Sequence, residues 1–222
     1  MELKITKNLG LKELAGYICR KLEENNIDAV LTGGAAVSIY TENKYQSYDL
    51  DFITFSTIKQ IDPVLKKLGF FKEGRYYKHK NTNYFIEFPP GPLSIGEKKI
   101  EKVNKIKTKY GYLKILYPTH SLMDRLAAFY FWDDLQSLEQ AIMIVKDNEI
   151  DYKEAKHWSI SENELDKYYK FIENLLLDYK KISKEEVLKI KKSIEDNTNK
   201  YNKILDKLND LKSENFKKLK NV

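Results

Sequence analysis

The segment Asp49-Leu50-Asp51-Phe52-Ile53-Thr54 decides how the first half of the chain is read. As a strand it puts residues i and i+2 on one face, so Asp49 and Asp51 point one way and Leu50 and Phe52 the other. Two like charges side by side in an apolar context repel unless a cation or solvent compensates. A hard divalent ion such as magnesium, which takes carboxylate oxygens together with substrate phosphates, is one compensation. A solvent-facing acidic pair on an edge strand is the other, and the hexapeptide alone does not choose between them.

The flanking sequence supplies the elements around it. Leu11, Leu14, Ala15, Ile18 and Leu22 recur at helical spacing, and the helix they predict ends near Asn25-Asn26. Asp28 to Thr32 is a short apolar run suited to a buried strand, Gly33-Gly34 breaks it, and Ala35 to Tyr40 opens a second helix. Paired glycines after a strand let backbone approach a ligand, and helix-opening N–H groups favour phosphate. The same pair also suits a plain tight turn. Thr57 with Gln60 forms a capping box for a helix carrying Ile58, Ile61, Val64, Leu65 and Leu68. Arg75 to Lys80 and Asn83 to Phe88 predict a hairpin around Asn81-Thr82, ended by Pro89-Pro90-Gly91-Pro92. Glu87 is the lone carboxylate of Phe85-Ile86-Glu87-Phe88. If buried, it must be neutral, paired or metal-bound; otherwise it takes an exposed position on a half-buried strand. Tyr112 to Tyr117 is the last strand expected.

After Pro118 the pattern turns helical. Ser121 with Asp124 suggests a capping box before Leu122, Leu126, Phe129 and Tyr130, and Leu135, Leu138, Ile142 and Val145 continue the spacing. Ser161 with Glu164 is expected to open a helix bearing Leu165, Tyr168, Ile172, Leu175 and Tyr179. Ser183 with Glu186 opens a longer one running through Val187, Ile190, Ile194, Tyr201, Ile204, Leu208 and Leu211. The last two predict an antiparallel pair or a dimer contact. The expected class is α+β, with domains at 1–118 and 119–222.

Composition narrows the function classes. Of 222 residues, 42% are hydrophobic and 32% charged, the balance of a globular chain rather than a disordered one. No apolar run approaches the ~20 residues of a membrane helix. Met1 to Ile5 lacks a secretory core, and a single cysteine, Cys19, excludes an internal disulfide; the expectation is a cytoplasmic protein without membrane contact. His79, His120 and His157 are scattered and give no zinc spacing. The net charge is +6, and residues 97–114 carry seven lysines against Glu97 and Glu101, so +5 of it arises there. A solvated lysine-rich exterior explains such a run, as does a nucleic-acid contact.

Taken together, Leu31-Thr32-Gly33-Gly34, Asp49-Leu50-Asp51 and the later Glu87 resemble the DNA polymerase β-like nucleotidyltransferase superfamily over roughly residues 25–90. Asp124-Arg125-Leu126-Ala127-Ala128 with Trp132-Asp133-Asp134 is similar to the helical motif of abortive-infection-type, toxin-like bacterial members. The resemblance implies a nucleotidyltransferase-like mixed sheet with flanking helices, followed by an all-helical C-terminal domain. It implies magnesium-dependent transfer of a nucleoside monophosphate from a nucleoside triphosphate such as ATP, with two ions on Asp49, Asp51 and Glu87. Gly33, Gly34, Ala35 and Arg125 would contact the nucleotide. The acceptor implied is RNA or protein, in a toxin or phage-defence role. A degenerate nucleotide- or partner-binding protein and an antibiotic nucleotidyltransferase are the alternatives. tRNA or another RNA would engage Lys102, Lys105 and Lys107, and a protein partner or second copy the C-terminal helices. Two departures stand out: Ala35 replaces a serine common in the family, and fourteen residues separate Gly34 from Asp49, slightly more than is usual.

Overall fold

Every second residue of β2 (Asp49–Thr54), namely Leu50, Phe52 and Thr54, is buried, as the alternation requires. The strand does not lie at an edge. In the computed structural model, which describes residues 3–178, β2 is the middle strand of a seven-stranded mixed sheet ordered β3-β4-β5-β2-β1-β9-β8. The others are β1 (Ala29–Thr32), β3 (Phe71–Glu73), β4 (Tyr76–Lys78), β5 (Phe85–Glu87), β8 (Asn104–Thr108) and β9 (Gly111–Ile115). β2 runs antiparallel to β1 and parallel to β5, while β1 and β9 are parallel. A separate ribbon, β6 (Ser94–Ile95) with β7 (Lys98–Lys99), is antiparallel.

The core lies on the sheet face that Leu50 and Phe52 share with Leu31, Ile86, Leu113 and Ile115. Three helices cover it: α1 (Leu11–Glu23), α2 (Gly33–Tyr40) and α3 (Ile58–Lys67), contributing Leu14, Ile18, Leu22, Ala35, Ala36, Ile61 and Leu65. Each of the large side chains adds about 1.5–3 kcal/mol on burial. At the start of α3 the Thr57 amide donates to Gln60 Oε1 at 2.8 Å, as the capping pattern predicts. Tyr40 fixes the far end of α2, donating its hydroxyl to the Leu116 carbonyl at 2.5 Å and accepting from Asn104 Nδ2 at 3.1 Å.

α4 (Pro118–Trp132) and α5 (Leu135–Asp147) follow the sheet, and Asp134 caps α5 by accepting from the amides of Gln136 and Ser137. The described residues fall into two compact units, divided between Asp151 and Tyr152. In the second, α6 (Tyr152–Ser161) and α7 (Leu165–Asp178) bury Trp158, Tyr168, Phe171, Ile172 and Leu175. The architecture is therefore α+β, a mixed sheet with flanking helices followed by helices alone. Among the described residues no helix is long and apolar enough to cross a membrane.

Several local expectations are corrected. α4 begins at Pro118, so Ser121 is buried inside it and caps nothing; proline at the first helical position starts the helix three residues earlier. Ser161 ends α6, where its hydroxyl donates to the Trp158 carbonyl. α6 itself, β3, the β6–β7 ribbon and β8 were not expected, because their short or lysine-interrupted patterns give no clear period. The helix expected over 183–211, and Tyr179, lie outside the described residues.

Candidate metal centre

Pairing in register brings the three carboxylates together. Asp49 lies opposite Phe85, Leu50 opposite Ile86 and Asp51 opposite Glu87, so the acids project from adjacent strands on one face. One oxygen from each of Asp49, Asp51 and Glu87 falls within 4.8 Å of the others. On the far side of β2, Thr32 is the partner of Asp51, which carries the row to the start of α2.

Their electrostatics follow from crowding and burial. Desolvation, then the neighbouring charge of Glu87, pushes the Asp49 carboxyl up to about 6, with Arg75 opposing. Desolvation, then Asp49 and Glu87, pushes Asp51 up to about 7, with Arg125 opposing. Asp49 Oδ1 is buried and accepts no hydrogen bond. Partly desolvated carboxylates with an unsatisfied oxygen, mutually repelling, form an all-oxygen donor set that suits a hard divalent cation. The residues present fit magnesium.

Gly33 and Gly34 occupy the first turn of α2. Gly33 has φ +64°, a left-handed conformation that glycine adopts without steric cost. A Cβ there would stand 2.3 Å from Asp51 Oδ2, so the acid and the helix start are in contact. Ala35 follows in the same turn, fully buried. The helix-opening N–H groups have no partner within the helix itself. The loop between α2 and β2 is pinned beside them: the Ser47 amide donates to Ser38 Oγ at 2.8 Å, and the Asp49 amide donates to Ser47 Oγ at 3.2 Å.

Arg125, on α4, belongs to the same neighbourhood through its charge on Asp51. Its guanidinium is held by neighbours rather than pointing free: Nε and Nη2 donate to Asp124 Oδ2 at 3.1 and 2.6 Å, and Nη1 to Gln140 Oε1 at 3.3 Å. Trp132, Asp133 and Asp134 do not join the site; they turn the chain from α4 into α5, with Asp133 in a left-handed conformation.

Arg75 was not singled out from the sequence. It sits with Gly74 in the two-residue turn between β3 and β4, and its Nε lies 3.3 Å from Glu87 Oε1. The signal available was the strand that follows Arg75, because pairing that strand with β5 carries the turn toward Glu87. Lys102, Lys105 and Lys107 are exposed, but Lys105 and Lys107 lie on β8, the opposite edge of the sheet from β3. Three strand spacings separate β8 from β2, on the order of 14 Å.

No family model and no curated protein sequence matches the chain. Among solved structures it is similar to an antigenic nucleotidyltransferase-like protein from Paracoccidioides brasiliensis, at 16% identity and a TM-score of 0.49, over 63% of this chain and 77% of that one. It is also similar to the antibiotic-resistance factor ANT(2'')-Ia in a solution structure, at 12% identity and a TM-score of 0.40, over 60% of this chain and 81% of that one. A crystal structure of ANT(2'')-Ia in complex with adenylyl-2''-tobramycin gives 12% identity and a TM-score of 0.37, over 56% and 83%.

Proposed function

We propose that the chain is a magnesium-dependent nucleotidyltransferase that moves a nucleoside monophosphate from a nucleoside triphosphate, ATP among the candidates, onto an RNA or protein acceptor in a toxin-like role. The observation that carries this reading is the meeting of Asp49, Asp51 and Glu87 within 4.8 Å, directly against the glycine-opened start of α2.

Asp49, Asp51 and Glu87 would hold the metal, two ions in the full reading. When bound, magnesium would supply neutralisation of the triphosphate charge and acidify an acceptor hydroxyl. The chain's own groups do the rest. The amides of Gly33, Gly34 and Ala35 offer unpaired N–H donors at the positive end of α2, the natural seat for phosphate oxygens. They stand in for the hydroxyl that Ala35 lacks. Arg125, braced by Asp124 and Gln140, keeps Asp51 closer to its ionised form. Glu87, at the outer end of the row, lines the acceptor's approach. The acceptor hydroxyl oxygen bonds to the α-phosphorus as the bond from that phosphorus to pyrophosphate breaks, its proton passing to water, and positioning with charge neutralisation carries most of the rate.

Thermal unfolding with and without Mg²⁺ and each nucleoside triphosphate tests the site. Stabilisation that needs both metal and nucleotide, and that disappears in Asp49→Asn, is the expected result. Equal melting under every combination contradicts it and favours a protein that uses the fold only to bind a partner. A small-molecule acceptor such as an antibiotic is told apart by following labelled nucleotide into RNA, protein or small molecules.

A further inference from the structure

α4 and α5 overrun the helix that offers the phosphate seat. At its far end α2 meets both of them. The Tyr40 hydroxyl donates to the carbonyl of Leu116, two residues before α4, and Asn148 Nδ2, just past α5, donates to the Tyr40 carbonyl at 2.9 Å. Lys44 pairs with Asp147 at 2.6 Å beside them. At the near end of α2, a Cβ on Gly33 would touch Asp51, whose carboxyl the Arg125 charge pulls down. Tyr45, 3.4 Å from where a Gly34 Cβ would stand, lies in reach of the same Arg125 charge. α4 therefore runs antiparallel to α2 and α5 parallel to it, and the Arg125–Gln140 bond marks the level at which α2 begins. Both helices continue past that level; from Arg125 to Trp132 is about 10 Å of helix.

Seven residues apart, Arg125 and Trp132 share one face of α4, with Ala128 between them. The stripe starts at a bound guanidinium and ends in an open apolar tip: Phe131 is 44% exposed, Trp132 76% and Leu135 61%. The Phe131 and Trp132 rings meet edge to face, centroids 6.1 Å apart, which steadies the indole. Residues 126–145 carry Asp133, Asp134 and Glu139 and no lysine or arginine. Charge of that sign holds phosphates off the tip and leaves it open to a flat, neutral group.

A nucleoside triphosphate has phosphates at one end and a flat, neutral base at the other. With the phosphates at the start of α2, the overrun of α4 is the wall along which the rest of the molecule lies. We propose that Trp132 is the platform on which the base of the donor nucleotide stacks, an inference that rests on the function proposed above. The small Ala128 leaves room for the sugar, and Trp132 stands off from the acids by the length that separates a base from its phosphates. Every base has a π face, so the platform fixes where the base sits without choosing among the four.

Calorimetric titration of the full chain, with Mg²⁺ present, compares inorganic tripolyphosphate, which has no base, with each nucleoside triphosphate. Trp132→Ala should weaken every nucleoside triphosphate about tenfold and leave tripolyphosphate within about twofold, so that the phosphate seat itself reports a folded variant. Trp132→Phe, which keeps a ring face, should recover most of the loss. Nucleotide binding that Trp132→Ala leaves unchanged overturns the proposal, as does an equal loss of nucleotide and tripolyphosphate. So does a dimer of the natural chain that Trp132→Ala dissolves at constant nucleotide affinity, which makes the tip a protein interface. A natural chain that binds neither tripolyphosphate nor nucleotide sinks the proposed function and this inference together. Tripolyphosphate bound, with nucleotide affinity indifferent to Trp132, sinks this inference alone.

Discussion

Gly33 and Asp51 are fitted to each other: the space a side chain at position 33 would need is occupied by Asp51 Oδ2, 2.3 Å from where a Cβ would stand. The contact joins the phosphate-favouring start of α2 to the central acid of the row. It also explains why the turn carries glycine in a left-handed conformation rather than any small residue.

Gly33→Ala should therefore cost more than a turn substitution does. The left-handed backbone alone costs about 1–2 kcal/mol for a residue with a Cβ. The Asp51 carboxylate must also swing away, which dismantles the acid cluster. Urea unfolding should show the stability loss, and metal-dependent nucleotide binding should vanish in protein that is still folded. Binding that survives in the folded variant would mean that Asp51 and Gly33 do not form one site.

The metal-free protein should be destabilised as its acids ionise. The Asp51 carboxyl titrates at about 7 in the fold against an ordinary value of 3.8, so folding favours its protonated form. That contribution is complete below pH 3.8 and is lost as pH rises through about 7. Asp51→Asn has no proton to lose. In EDTA at pH 8 the variant should melt above the natural protein, with each 1 kcal/mol of relief worth roughly 2–4 °C in a chain of this size. At pH 4 the gap should close, and with Mg²⁺ at pH 8 the order should reverse. A variant less stable in EDTA at pH 8 would show that the acid cluster is not under electrostatic strain.

Arg75 partly neutralises Glu87, but its own side chain is largely in solvent, where screening leaves such a pair little weight in stability. Arg75→Ala should leave the melting temperature almost unchanged. Its effect should fall on the cation site, where Mn²⁺ affinity, followed by the electron paramagnetic resonance of free Mn²⁺, should rise a few-fold. Weaker Mn²⁺ binding would argue that Arg75 organises the acids rather than competing for them.

Tyr40→Phe tests how α2 is anchored. The change leaves the Leu116 carbonyl and Asn104 Nδ2 without their shared partner. Losing a buried hydrogen-bond partner costs about 1–3 kcal/mol, readable as a shift in urea midpoint at constant slope. A neutral result would mean that packing alone holds the helix.

The central strand was legible because the two-residue period over Asp49–Thr54 puts Leu50 and Phe52 on one face and Asp49 and Asp51 on the other, although the period alone left open whether a cation or solvent met that acid face. Glu87 was legible as a lone carboxylate on an apolar strand, with a buried and an exposed placement both open. The row that joins it to Asp51 came only from pairing, since register is a property of two strands and neither sequence contains it. β8 was hidden by its lysines: Lys105 and Lys107 face solvent, and of the inward-facing Asn104, Ile106 and Thr108 only Ile106 is strongly apolar, too little to show a period. Ser121 misled because serine with an acid three residues later also occurs inside helices, and Pro118 was the stronger start signal. Arg75 reaches Glu87 across a turn of two residues, a contact that spacing along the chain cannot express.

The most direct test of the whole account is transfer of label from α-³²P nucleoside triphosphates, with Mg²⁺ and a cell lysate, comparing the natural chain with Asp51→Asn. Metal-dependent labelling of an acceptor by the natural chain and background labelling by the variant is the expected result, even with the variant melting higher in EDTA at pH 8 as predicted above. Labelling of equal strength by both would contradict it.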